Sequence, residues 1–138
     1  MSLTLRVLAP DQSVFDGVAD EVILPSASGQ VGILPGHVTM LAALEAGVMR
    51  LRAAGEWTSI ALLGGFAEVE ADQVTVLVNG AELGSKIDPA AAQAELEAAQ
   101  QAVAAFEGKP SSTEKLKAGQ ALSRARARAQ ASSSSSSS

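Results

Sequence analysis

The sequence predicts a mainly β protein with an appended α part: an all-β sandwich or barrel over residues 1–84, then a two-helix antiparallel hairpin over residues 85–131. Three observations predict this division. Short Val, Ile and Leu runs in the first part are cut by turn residues every eight to ten positions. The composition changes to Ala, Gln and Glu after Gly84. Apolar residues then recur at helical spacing.

The first part contains nine short apolar runs, which we take as strands. Pro, Gly and Asp residues separate most of them, as is typical of turns between β-strands. We also expect turns at residues 45–47 and 64–65, and the pair Gly64-Gly65 predicts a sharp bend where two backbones approach closely. The predicted strands cover residues 3–8, 14–18, 21–24, 31–34, 40–44, 48–52, 57–63, 66–70 and 74–78.

The second part begins with a helix start signal. Asp88 is a predicted N-cap and Pro89 the first helical residue. Residues 108–110 end this helix, and the run 111–114 has the pattern of a capping box that opens a second one. Small and apolar side chains form a narrow seam along each helix. They are Ala92, Leu96, Ala99, Val103 and Phe106 on the first, and Ala118, Leu122, Ala125 and Ala129 on the second.

The hairpin has few large apolar side chains, so we expect it to be marginally stable alone. It should reach its final position by docking on the β domain or on another chain. Residues 132–138 are all serine, a composition that cannot bury apolar surface, and we expect a disordered tail there.

Charge is divided unevenly along the chain. Residues 1–84 carry 3 Lys or Arg and 10 Asp or Glu, whereas residues 85–138 carry 7 and 5. With a net charge of -5 and only four aromatic residues, the chain is not expected to bind nucleic acid. Arg6, Asp11 and Asp16 interrupt the N-terminal apolar stretch, so no signal peptide is expected. No run approaches the roughly 20 apolar residues of a membrane span, so we expect membrane association only through a partner.

The sequence offers no recognisable catalytic, cofactor or metal site. There is no cysteine or tyrosine and one histidine, so His37 alone would have to serve every nucleophile–base pair or histidine metal site. His37 follows Pro35-Gly36 in an apparent turn, where a structural or contact role is expected. The run 29–37 matches neither common glycine-rich phosphate-binding pattern.

Three arginines lie close together near the end of the second helix: Arg124, Arg126 and Arg128. Arg124 and Arg128 share a helical face, and Arg126 points away from it. They could be favourable charge near a helix C-terminus. Alternatively, they could contact an acidic protein surface through bidentate carboxylate pairs, which we favour because three arginines exceed what a helix end requires.

Together, several segments resemble the epsilon subunit of F-type ATP synthases, over about residues 3–130. The most specific are Gly-Gln-Val-Gly-Ile-Leu-Pro-Gly-His at 29–37, Leu-Gly-Gly-Phe-Ala-Glu-Val at 63–69 and Val-Thr-Val-Leu-Val at 74–78. Residues 84–89 and 121–128 are most similar to cyanobacterial and chloroplast members. The resemblance implies a ten-stranded β sandwich, a two-helix C-terminal domain and a thylakoid setting on the cytoplasmic or stromal face.

The resemblance also implies a function and partners. The chain would be a non-catalytic rotor subunit that couples proton flow to ATP synthesis and inhibits ATP hydrolysis. Its β domain would bind the gamma subunit and the c-subunit ring, with the loop of Gln30, Val31, Gly32 and His37 towards the ring. The three arginines would contact the catalytic β subunits.

Three departures limit the resemblance. The serine run at residues 132–138 is unlike the usual ending of the family. Val38-Thr39 stands where many members have Ala-Pro. Ala91 replaces the arginine of a motif through which some bacterial relatives bind ATP, so ATP binding is not expected here. A free-standing adaptor with unrelated partners is the alternative, and co-purification with gamma would separate the two.

Overall fold

The structure, a computed structural model, describes residues 1–136 of the 138. Within that range it has eight strands, one 3₁₀ turn at Gly84–Lys86 and two helices. The strands are β1 Leu3–Ala9, β2 Gln12–Ala19, β3 Glu21–Ser26, β4 Gly29–Ile33, β5 Met40–Ala53, β6 Glu56–Glu70, β7 Gln73–Val78 and β8 Ala81–Leu83. The helices are α1 Pro89–Ala104 and α2 Thr113–Ser136.

All eight strands belong to one hydrogen-bonded network, which folds over on itself as a sandwich. Seven run in the order β2-β1-β7-β6-β5-β3-β4, and β8 pairs with β6 off this path. Every pair is antiparallel except β1 with β7. The side chains between the layers include Leu5, Leu24, Ile60 and Val76, all 0% exposed. The predicted β-plus-hairpin fold class is confirmed.

The strand count differs from ten because two predicted turns lie inside long strands. Residues 45–47 belong to β5 and Gly64-Gly65 to β6, and the register of these two strands is the same before and after the interruption. On its other side, β6 pairs with β8 before the bend and with β7 after it. The bend predicted at Gly64-Gly65 is confirmed. It allows the single strand β6 to belong to both layers of the sandwich. The short strand β8 was not predicted.

The helix start signals are confirmed with one shift. The Asp88 carboxylate accepts a hydrogen bond from Ala90 N at 3.0 Å, and Pro89 is the first helical residue. In α2, the Ser112 hydroxyl oxygen caps Lys115 N at 3.1 Å. The cap is therefore one residue later than the predicted capping box, and a lysine stands where a glutamate would complete the box.

The predicted seam between the helices is confirmed, since all its members are buried or half-buried. However, α2 has a second buried face that the spacing did not predict. Ala127 and Ala131 join Ala61 of β6, Ile87 and Ala92 in a cluster separate from the sandwich core. The hairpin therefore lies docked on the outer face of β6.

The predicted disordered tail differs from the structure in its first five residues. Helix α2 continues through Ser136, and Ser132 is 3% exposed with its hydroxyl donating to Ala129 O at 2.9 Å. The Ala-rich helix propagates into the serines, and the side-chain hydrogen bond satisfies the buried hydroxyl. Residues 137–138 lie outside the described residues.

Candidate functional site

The loop that the sequence singled out lies at a sheet edge. Gln30, Val31 and Gly32 belong to β4, which ends the sheet order and pairs only with β3. Gln30 and Gly32 are exposed, whereas Val31 is half-buried opposite Leu24. The free edge of β4 therefore presents backbone and polar side-chain groups to a partner.

His37 lies in the turn after β4. Its backbone N–H donates to Leu34 O at 3.1 Å, and its ring Nδ1 is 2.8 Å from Val38 O. The neighbouring Gly36 N–H donates to the Asp72 carboxylate at 2.7 Å, which fastens this turn to the β6–β7 turn. Asp72 has a φ of 62°, a left-handed conformation suited to a tight hairpin turn. The turn that carries His37 is thus held by hydrogen bonds to its own neighbours and to the β6–β7 turn.

Large apolar side chains flank His37, a feature that sequence reasoning missed. Leu34, Val38 and Leu41 are 52%, 73% and 70% exposed. The sequence contained a signal for this exposed group, because the hydrophobic residues lie on both sides of a Pro-Gly-His turn. It was missed because residues 31–34 and 40–44 were assigned to buried strands. Three exposed large apolar side chains within residues 34–41 make this loop a candidate protein interaction surface.

A second apolar row crosses the outer face of the sheet. Phe66 of β6 lies directly opposite Ala43 of β5 and Leu77 of β7. Phe66 and Leu77 are 44% and 38% exposed. Because opposite residues in a pleated sheet point to the same side, these side chains form one outward-facing row.

Of the three arginines, only Arg128 forms salt bridges within the part of the chain that the structure describes. Its guanidinium donates to both carboxylate oxygens of Glu82 on β8, at 3.0 Å and 3.3 Å, and also to Glu95 on α1. The hydrogen bond to Glu95 is the largest cause that raises the pKa of Arg128, and desolvation by burial opposes it. In the docked arrangement, three of its five N–H groups donate to carboxylates of β8 and α1.

Arg124 and Arg126 are both exposed on α2. Arg124 lies beside a cleft between α2 and the bend of β6, which is also lined by Leu63, Gly64 and Asn79. Neither arginine forms a salt bridge within the described range. The structure thus divides the predicted arginine group into one engaged member and two exposed members.

Ala91 is exposed in the first turn of α1. Within residues 1–136, no three His, Cys, Asp or Glu side chains are grouped so as to hold a metal ion. No helix in the same range is both long and apolar enough to cross a membrane. The absence of ATP binding stays a prediction.

Comparison with known families matches both parts of the chain. Residues 2–84 match the family model "ATP synthase, Delta/Epsilon chain, beta-sandwich domain", and residues 85–133 match "ATP synthase, Delta/Epsilon chain, long alpha-helix domain". Similar curated proteins include the "ATP synthase epsilon chain" of Synechococcus sp. strain WH7803, 69% identical over 125 residues, covering 91% of this chain and 92% of that one. The protein of that name from Prochlorococcus marinus strain MIT 9313 is 68% identical, with coverage of 91% and 94%.

Solved structures that share the fold include the following two. One is a chain of the Euglena gracilis mitochondrial ATP synthase, in a structure of its OSCP, F1 and c-ring, with a TM-score of 0.77 and 20% identity. The likeness covers 91% of this chain and 78% of that chain. The other comes from the central stalk and c-ring of the Tetrahymena thermophila mitochondrial ATP synthase, with a TM-score of 0.62, 13% identity and coverage of 95% and 96%.

Proposed function

The chain belongs to the delta/epsilon chain family of ATP synthases, as a non-catalytic subunit of the epsilon type, and we propose that it is a central-stalk rotor subunit with two separate tasks. The β domain anchors the subunit and transmits rotation between the c ring and the catalytic head. The helical hairpin restrains wasteful ATP hydrolysis. The observation that carries the proposal is that the family match runs through both the sandwich and the helices.

The proposed partners of the β domain are the gamma subunit and the c-subunit ring. The loop containing Gln30, Val31, Gly32 and His37 faces the ring. Its support is the exposed edge of β4, the tie from Gly36 N to Asp72 and the exposed apolar side chains beside His37. A fastened loop with an apolar rim loses little conformational entropy on binding, which suits a permanent contact. Co-purification with gamma tests this assignment.

The proposed partners of the hairpin are the catalytic β subunits. Arg124, Arg126 and Arg128 meet an acidic segment there, and the arm reaches it by leaving the sheet and extending along gamma. Its support is the nature of the docking contact, since the α2 side chains buried in the cluster on β6 are alanines. Alanine buries little apolar area, so the docked state is held weakly enough to exchange with another.

The proposed location follows from the partners and from the cyanobacterial relatives. The chain lies at the cytoplasmic or stromal face of the thylakoid membrane. It is attached there through the ATP synthase complex, by way of the c ring and gamma.

ATP hydrolysis by a reconstituted catalytic head with gamma tests the division of tasks. The full chain is compared with a variant that ends at Gly84. The described residues of the sandwich core, and those packed against it, lie within residues 3–83, so removal of the hairpin leaves the core complete. Full-length chain should bind and inhibit, and the shortened chain should bind without inhibiting. Equal inhibition by both would place the restraint in the β domain.

A further inference from the structure

The docked hairpin is tied to the β domain by a single charged side chain. Among the residues that the structure describes, the salt bridge of Arg128 with Glu82 is the only one between the hairpin and the sandwich. The same guanidinium also pairs with Glu95 of α1. Arg128 therefore joins three elements: α2 that carries it, α1, and β8 of the sandwich.

The other contacts between the hairpin and the sandwich are small, so the Arg128 salt bridges have a large effect on docking. The cluster beneath α2 contains Ala61, Ala127 and Ala131, and its one large fully enclosed side chain is Ile87, which is 4% exposed. Because alanine side chains bury little area, the balance between docked and released arms is set by few interactions. The Arg128 side chain is 25% exposed, whereas Glu82 and Glu95 are 46% and 51% exposed, so water shields these ion pairs in part.

The geometry at Arg128 is that of carboxylate recognition. Nε and Nη2 contact the two carboxylate oxygens of Glu82 as a fork, at 3.0 Å and 3.3 Å, while Nη1 contacts Glu95. This is the bidentate arrangement by which an arginine binds an acidic side chain of a partner. Three of the five N–H groups of the guanidinium are used in these bonds, and Glu82 occupies its Nε–Nη2 fork, so a partner carboxylate can bind that fork only after Glu82 leaves it.

We propose that Glu82 and Glu95 bind the Arg128 guanidinium in the docked arm, in place of the acidic surface of the catalytic subunits. The arm stays docked until that surface displaces the two glutamates from Arg128. This rests on the proposed function of the arginines. Arg124 and Arg126 are exposed while the arm is docked, so they make the first contact with the partner. Arg124 lies one turn before Arg128 on the same face, so a partner surface bound there is beside the internal pair.

Release of the arm can be measured in the isolated chain by energy transfer. Trp57 is the only tryptophan and the chain has no cysteine, so Ser111→Cys, in the exposed turn between the helices, gives one site for an acceptor dye. The test variant is Glu82→Gln/Glu95→Gln. Its control, Glu97→Gln/Glu107→Gln, removes the same charge from exposed hairpin positions outside every described salt bridge.

The test variant should raise the ratio of released to docked arm by about 2- to 30-fold, the range for one to two partly exposed ion pairs. The control should match the parent chain. The difference should shrink in 1 M salt, where the screening length is about 3 Å. Arg128→Lys, which keeps the charge and loses the fork, should lie between the parent and the test variant. Equal transfer in parent and test variant, or an equal loss in test and control, would overturn the proposal.

Hydrolysis assays separate this proposal from the one on which it rests. If the test variant releases the arm and also inhibits the catalytic head at lower concentration than the parent, both stand. If the test variant releases the arm but neither it nor the parent chain inhibits hydrolysis, the docking role of the Arg128 ion pairs stands and the proposed inhibitory function is wrong.

Discussion

Gly65 of β6 lies against the backbone of Leu77 on β7, so closely that a Cβ built on Gly65 would be 2.1 Å from the Leu77 carbonyl oxygen. The same Cβ would be 2.7 Å from the Cα of Val78. Gly65 also has a φ of 149°, in a region that side-chain-bearing residues rarely adopt. This contact is where β6 bends and changes its partner from β8 to β7. The bend needs glycine for both steric and conformational reasons.

Gly65→Ala should therefore destabilise the β domain by at least about 2 kcal/mol, because the clash is with backbone that cannot rotate away. Urea unfolding followed by Trp57 fluorescence measures this change. Gly32→Ala is the control, since a Cβ at Gly32 would meet no atom within 4 Å. Equal stability of the two variants would mean that β6 and β7 separate at little cost.

The bend itself was predictable because two adjacent glycines between apolar runs have few other uses in a sheet. It was not predictable that β5 and β6 would each continue as one strand through this region. Residues 45–47 are Glu-Ala-Gly, a typical turn composition, yet they remain extended because they lie opposite the bend in the neighbouring strand. The glycine pair was correctly predicted as a bend, whereas the turn predicted at 45–47 was wrong, because only the pairing of β5 with β6 shows that both strands continue past this point.

The candidate site was predictable to a similar degree. Arginines clustered on an Ala-rich helix indicated an interaction surface, which stays a prediction. That Arg128 is engaged by Glu82, 46 residues away, follows from docking of the hairpin on the sheet. No pattern in the sequence specifies that contact, because alanines at a docking face look like ordinary helix formers. The exposure of Phe66 was not predicted either. The alternation of side chains along a strand assigns a residue to one face of the sheet, but it does not say which face is packed against other parts of the protein.

A bulky side chain at the docking face should release the arm. Ala127 is 1% exposed and packs in the cluster with Ala61. Ala127→Leu adds three carbon atoms where no space exists, at a cost of about 1–3 kcal/mol to the docked state. We expect less energy transfer from Trp57 to a dye at residue 111 and an unchanged urea midpoint of the β domain. Gln120→Leu adds apolar bulk at an exposed position of α2 and should leave the arm docked. Unchanged transfer in Ala127→Leu would mean that the cluster can repack.

Gly119 gives a test of helix stability that is separate from docking. It lies inside α2, is exposed, and a Cβ there would meet nothing within 4 Å. Gly119→Ala should stabilise α2 by about 0.5–1 kcal/mol, because glycine loses more backbone entropy in a helix than alanine does. Amide exchange of residues 113–131 should slow accordingly, while exchange in β1 and β7 should not change. Faster exchange would show that α2 needs flexibility at this position to remain docked.

The exposed arginines should contribute to inhibition without affecting docking. Arg124→Ala/Arg126→Ala removes two charges that lie outside every described salt bridge, so energy transfer in the isolated chain should equal that of the parent. Inhibition of the reconstituted head should weaken by at least about tenfold, since losing charged partners at a protein contact commonly costs more than 1.4 kcal/mol.

The matched control for this pair is Lys109→Ala/Lys117→Ala, which removes the same charge from exposed residues near the other end of α2. If inhibition is specific to the arginine face, the control should inhibit like the parent chain. An equal loss in both variants would instead mean that only the net charge of the hairpin attracts it to an acidic surface. Full inhibition by Arg124→Ala/Arg126→Ala would leave Arg128 as the one arginine able to make the contact, and release from Glu82 would then have to come before any binding.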